Sequence, residues 1–310
     1  MSAPQEVTGR NPFTGREIGS KTMLWVFALL IGLPCLVVAF STVKSQGDII
    51  RNPIKPPIPS QSFEKPESCA AAVALRSEQG PECLATPNVQ GYRDAAAQRI
   101  GRSFRNSLIV VSVSVFVTLL FAAMAAFAVT RIGGWLATTL FAFFTIGMAI
   151  PAQVNGVAQY ALFSKLNLTN SLQGLMVVNV AATLPVSVFI LTGFMRTLPR
   201  ELFEAAVVDG AGNWKLFRKI VVPLSVPSLA AVGIFLLVMH WNDLWYPYLF
   251  ITDPAKYTLP RTLAEFKGEF STNYPALFAG VLIASAPLVT AYVFLQRWFI
   301  AGLTSGAVKG

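Results

Sequence analysis

Six apolar runs, almost free of charge, interrupt an otherwise polar chain: Met23–Phe40, Leu108–Val129, Trp135–Ile150, Gly174–Met195, Pro227–Phe250 and Ala276–Phe294. All but the fifth lack Asp, Glu, Lys, Arg and His. Crossing the hydrocarbon core of a bilayer takes about 20 apolar residues in a helix, because backbone polar groups must find their partners within the segment. The pattern predicts an all-α membrane protein with six transmembrane helices at about 23–40, 108–129, 135–150, 174–195, 227–250 and 276–294. The third run is short, although its apolar character continues weakly past Pro151. The first follows Arg10, Arg16 and Lys21, as a secretory signal would. It is longer than a signal core, however, and Val38-Ala39-Phe40-Ser41 offers no small-x-small cleavage site, so it reads as a retained helix.

Composition agrees with the pattern. The chain is 54% hydrophobic and 13% charged, with a mean hydropathy of +0.57, against roughly 25% charged residues in soluble domains. Lys and Arg placement then orients it. With the N-terminus inside, Arg10, Arg16, Lys21, Arg131, Arg196, Arg200, Lys215, Arg218, Lys219, Arg297 and Lys309 are cytoplasmic. The short outer loops hold only Lys165, Lys256, Arg261 and Lys267. Both termini are therefore expected inside, and topology accounts for most of the net charge of +9 without a nucleic-acid partner.

Between the runs, residues 1–22 form a polar cytoplasmic tail and 41–107 a long extracytoplasmic loop. That loop opens with Pro53, Pro56, Pro57 and Pro59, which favour an extended path. It closes with Arg93, Arg99, Arg102 and Arg105, spaced as on an amphipathic surface helix. Residues 108–300 make the membrane core, with a cytoplasmic loop at 196–223, and 301–310 form a cytoplasmic tail. Cys35 falls inside the first helix. Cys69 and Cys83 share the outer loop, either as a disulfide worth about 3 kcal/mol in the chain-entropy account or as two unpaired thiols.

The loop at 196–223 is the most informative segment. Pro199 suits a first helical position, and Glu201 and Glu204 complement the helix dipole. Asp209-Gly210 is a strong turn pair in which Gly210 is free to take positive φ. Asn213 is placed to cap a second short helix carrying Trp214, Phe217 and Ile220 near one face, and Pro223 to end it. A helix pair in water with nothing of its own to bury such side chains reads two ways. It is a knob inserting into a groove on a cytoplasmic partner, or a connector whose apolar face lies on the membrane.

Glu204-Ala205-Ala206, then Gly210, Ile220 and Pro223, resembles the "EAA loop" of ABC importer permeases, with Val222 where Leu is usual. Trp241-Asn242-Asp243-Leu244-Trp245-Tyr246-Pro247 resembles the fifth-helix segment of sugar permeases. Thr258-Leu259-Pro260, Gln296-Arg297-Trp298-Phe299 and the tail Gly302–Gly310 fit the same pattern. Over about 105–310 the chain is thus similar to the maltose-type branch of carbohydrate-uptake permeases, with an apparent insertion near 65–88. The resemblance implies a type I ABC importer permease fold in the bacterial inner membrane. It implies no enzymatic activity and no cofactor in this chain, with ATP and Mg bound by a separate ATPase dimer. A second permease subunit and an extracytoplasmic sugar-binding protein complete the expected partners. Glu204, Ala205, Ala206, Asp209, Gly210, Phe217, Ile220 and Pro223 would couple to the ATPase, and Thr304, Ser305 and Gly306 would reach its interface.

Candidates for the solute path are Asn179, Trp241, Asn242, Asp243 and Trp245. Carboxamide and carboxylate suit sugar hydroxyls and indoles suit ring stacking, but the position near the helix's outer end favours an interface belt with a solvated Asp243. For Asn179 the alternative is an interhelical hydrogen bond. Pro151, Pro185 and Pro287 are candidate kinks. Gly15 with Gly19-Ser20-Lys21-Thr22 only superficially suggests a phosphate loop, since its spacing is wrong and no strand precedes it. The single histidine, His240, reads as packing or an interfacial hydrogen bond, and no Cys/His pattern suggests a metal. Two other classes remain: an ion-coupled secondary transporter, disfavoured by the scarcity of ionisable groups in the runs, and an ABC permease for a non-sugar solute.

Overall fold

The computed structural model describes residues 15–56, 89–268 and 272–307, with backbone alone at 15–19, 295 and 297–307. Cys69 and Cys83 lie outside the described residues. Cys35 is an exposed free thiol. Among the described residues the chain is helical throughout, apart from one isolated bridge between Lys267 and Thr272. It divides into two compact units, residues 1–94 with 273–282, and 95–272 with 283–310.

In the first unit, α1 (Gly15–Ser41) carries the first apolar run. It is followed by α2 (Gln46–Arg51). Ser45 caps α2 by accepting from the Asp48 amide at 3.3 Å, the local pattern expected of an N-cap serine. Lys44 is 1% exposed because its ammonium is spent on the Asn52 carbonyl at 2.7 Å. The start of α3 (Gln90–Ala97) meets the start of α13 (Tyr274–Ala307). There Asn273 Nδ2 donates to Asp94 Oδ2 at 2.9 Å.

The second unit is built on α4 (Ile100–Ile132) and α7 (Leu172–Met195), with α10 (Val226–Trp241) against both. Ala122, Ala123 and Ala126 line the α4 face that meets Val188, Leu191 and Met195 of α7 and Val232 and Leu236 of α10. Small residues let helix backbones approach closely, which is how membrane helices gain packing contacts without a hydrophobic drive between them. A second cluster joins Val110, Leu175 and Val178 to Tyr246, Phe250 and Ile251.

Three expectations are corrected here. The amphipathic segment 93–107 is no single helix: it breaks at Arg99, whose φ of 61° separates α3 from α4. The third run yields only α5 (Gly134–Gly147), 14 residues, or about 21 Å at the α-helical rise. Pro151, Gln153 and Asn155 then turn the chain into α6 (Gly156–Lys165), since proline cannot continue the ladder. The fifth run is also interrupted, α10 giving way at Asn242–Leu244 to α11 (Trp245–Phe250). Among the described residues four helices are long and apolar enough to cross a membrane, Ser20–Ser41, Ile100–Ile132, Leu172–Met195 and Tyr274–Phe294. A fifth is added if the bent pair Asn213–Leu224 and Val226–Trp241 is one span.

Candidate functional site

The loop after α7 folds as two short helices, α8 (Arg200–Val208) and α9 (Asn213–Leu224). Pro199 stands at the N-cap of α8. At the other end Gly210 takes a φ of 72°. The Gly210 amide donates to the Val207 carbonyl at 3.0 Å and the Ala211 amide to the Ala206 carbonyl at 2.9 Å. This paired return of amides is the Schellman stop, and only glycine enters it without a steric penalty. Ala206 and Ala211 then pack in one apolar cluster, the hydrophobic contact that accompanies the motif. Glu204, Ala205, Asp209 and Gly210 are left exposed at the tip.

Two local expectations change in α9. Gly212, with extended backbone, is the N-cap, and Asn213 is the first helical residue without a capping bond from its side chain. Pro223 does not end the helix. The five residues Phe217–Val221 form a π turn, and Val222–Leu224 continue beyond it. A proline inside a helix has no N–H to give and its ring crowds the carbonyl four residues back. One widened turn before it absorbs both effects. The chain then bends by 73° into α10.

The π turn decides which side chains face where. Leu216, Phe217 and Val221 are buried in the cluster formed by α4, α7 and α10. Trp214 stays 63% exposed and Val208 87% exposed. The segment therefore buries Leu216, Phe217 and Val221 against the chain's own core and leaves Trp214 and Val208 uncovered. Ile220 is half-buried at the cluster's edge, while Pro223 is exposed. The Phe217 ring sits 5.7 Å from that of Trp214 and 5.4 Å from that of Phe127 on α4. Phe127 lies in a featureless apolar run, and no sequence signal singles it out.

The second candidate group gathers at the break between α10 and α11. Trp241 is 3% exposed. Its indole N–H donates to the Ala284 carbonyl of α13 at 3.0 Å, and its ring meets Phe104 edge-on at 5.7 Å. Asn242 Nδ2 donates to the Val238 carbonyl at 2.8 Å. Asp243 Oδ1 accepts from the Trp245 amide at 3.0 Å. The amide and carboxylate thus cap the two helix ends, and Trp241 is a packing residue. Asn242 and Trp245 keep exposed surface.

Asn179 is buried in α7, with its Oδ1 unpartnered among the described residues. Its backbone carbonyl accepts the Thr183 hydroxyl at 2.8 Å. That hydroxyl also lies 3.3 Å from His240 Nε2, which ties the Asn179 turn to the end of α10. Sequence reasoning missed Asn106 and Asn170, which pin the segment following α11. Asn106 Nδ2 donates to the Ala255 and Tyr257 carbonyls at 3.1 and 3.0 Å. Asn170, at a φ of 50°, accepts the Asp253 amide on its Oδ1 at 3.0 Å. An asparagine directly before a helix-capping Ser171 was the available signal. Thr304–Gly306 lie in the last turns of α13, where only backbone is described.

The helical core with its paired-helix loop between α7 and α10 is matched by the permeases of ABC importers. The chain belongs to the family described as binding-protein-dependent transport system inner membrane component, whose profile matches residues 108–305. It is 31% identical to an ABC transporter permease protein of Caldicellulosiruptor sp. strain Rt8B.4 over 93% of this chain and 95% of that one. It is 37% identical to the melibiose/raffinose/stachyose import permease of Bacillus subtilis strain 168, over 68% of this chain and 77% of that one. Among solved structures, a bacterial ABC transporter involved in import of the acidic polysaccharide alginate superposes with a TM-score of 0.70. It is 17% identical and covers 93% of this chain and 100% of its own. At that identity the likeness speaks for the fold alone.

Proposed function

We propose that this chain is one of two permease subunits of an ATP-driven, binding-protein-dependent importer for a sugar or short oligosaccharide. It crosses the bacterial inner membrane six times with both termini cytoplasmic, α5 with its following turn making the third crossing and α9–α10 the fifth. A separate ATPase dimer binds and hydrolyses MgATP, and this chain catalyses nothing itself. The second permease subunit is a different chain, and an extracytoplasmic binding protein delivers the solute.

The observation that carries the reading is the Gly210 turn. It presents Glu204, Ala205, Asp209 and Trp214 to water while rooting the same segment in the membrane core through Ala206, Phe217 and Val221. A group that must take up motion from a soluble partner and pass it to membrane helices needs both halves. Ile220 and Pro223 shape the inner half, and Thr304, Ser305 and Gly306 extend α13 toward the same partner. The sugar rests on the relative named for melibiose, raffinose and stachyose. The α10–α11 break, with Asn242 and Trp245 exposed and Asp243 half-buried, supplies chemistry suited to hydroxyls, and Asn179 is a further candidate. Trp241 supports that wall from within.

A thermal-shift screen of the cognate binding protein against sugars, amino acids and inorganic ions tests the solute class. Stabilisation by an oligosaccharide alone is expected. Stabilisation only by an amino acid or an ion contradicts the sugar assignment and leaves the permease assignment standing.

A further inference from the structure

The family pattern groups Phe217 with the residues that meet the ATPase, yet Phe217 is 5% exposed and no soluble partner can reach its ring. Two other rings contact it. Trp214, one turn earlier, is 63% exposed and lies tilted against it at 5.7 Å and 32°. Phe127 of α4 lies tilted against it at 5.4 Å and 43°. Phe217 is also the first residue of the π turn, the least regular part of α9. Its neighbours in the cluster come from α4, α7 and α10 together.

We infer that Phe217 and Phe127 are positioning residues that carry displacement of Trp214 into α4, a contact route separate from the covalent one through the 73° bend into α10. A close-packed interior passes strain on because it cannot compress, and a rigid ring passes it in one direction where a flexible aliphatic chain would absorb it. The widened turn lets the α9 backbone move without breaking the helix on either side. Of the two α9 rings, only that of Trp214 is exposed to the partner. This inference rests on the proposed coupling role of α8 and α9.

The test uses the whole transporter, this chain with its second permease, ATPase dimer and binding protein, in proteoliposomes with radiolabelled raffinose as the transported probe. Phe217→Leu, Phe127→Leu, the double variant and Phe127→Tyr are compared for ATPase subunit retained and for raffinose moved per ATP hydrolysed. Each Leu variant is expected to keep the ATPase within about twofold of wild type and to lower raffinose per ATP at least fivefold. The double variant is expected to be no worse than the poorer single one, as for residues acting through one contact. Phe127→Tyr keeps the ring and restores the ratio. An unchanged ratio in both Leu variants overturns the inference, as do fully multiplicative effects or loss of the ATPase in step with the ratio. A wild-type complex that retains no ATPase overturns the coupling role itself, a result read before any variant is made.

Discussion

Gly210 shows how one residue sets the geometry of the exposed tip. Its φ of 72° lies in the left-handed region, where an L side chain costs about 1–2 kcal/mol. Gly210→Val is therefore expected to shift the tip and to uncouple ATP hydrolysis from uptake, with the protein still inserted in normal amount. Transport and hydrolysis measured on the same vesicles check this, and wild-type uptake would remove the role. Gly174 is a purely structural counterpart. Its amide donates to the capping Ser171 hydroxyl at 3.0 Å, and a Cβ there would collide with the Leu168 carbonyl oxygen. Gly174→Ala should lower the melting temperature in detergent by several degrees, about 1–3 kcal/mol being typical of such a substitution, without changing solute moved per ATP. Gly210 was legible in the sequence because Asp-Gly at the end of an amphipathic segment has one common outcome. Phe217 was not legible, since spacing places Trp214, Phe217 and Ile220 near one face but cannot say whether that face meets water, lipid or protein.

At the scale of elements, α9 was the least readable. Proline after a short helix usually means an end, and here a π turn carries the helix past it. The compensation depends on packing by α4, α7 and α10, which no local pattern records. Replacing Pro223 by Ala removes the reason for the widened turn, so α9 is expected to regularise and rotate Phe217 away from Phe127. Phe127→Cys with Phe217→Cys, joined by a short bis-methanethiosulfonate reagent, reads that distance. Pro223→Ala should lower the cross-linking yield severalfold, and an unchanged yield would show that packing alone holds the turn. The long helices were legible because a charge-free run has few alternatives in a bilayer. The breaks in the third and fifth runs were less so: local hydrogen bonds of Asn242 and Asp243 hold the second break, and an apolar run does not record them.

For the whole molecule, hydropathy and charge indicated a multi-pass protein, and the match over residues 108–305 agrees with that reading. The proposed topology puts both termini on one side, which requires an even number of crossings; with the bent pair counted as one span, the 14-residue α5 and the turn after it would make the sixth. A fluorescent protein fused after Gly310 should be bright, and alkaline phosphatase inserted within 57–88 should be active. A dark C-terminal fusion would contradict six crossings.

Coupling of a membrane-embedded chain to a soluble ATPase through α8 and α9 is the central claim. The most direct measurement is purification of the tagged chain from its own membranes in mild detergent, with quantification of the ATPase subunit bound to it. Wild type is expected to carry the ATPase in near-stoichiometric amount. Trp214→Ala, which removes the exposed ring and leaves the buried cluster intact, is expected to weaken its binding about 30-fold, as loss of an interface anchor worth about 2 kcal/mol does. A wild-type chain that imports its solute while carrying no ATPase, or a Trp214→Ala variant that binds it as tightly as wild type, would contradict the account.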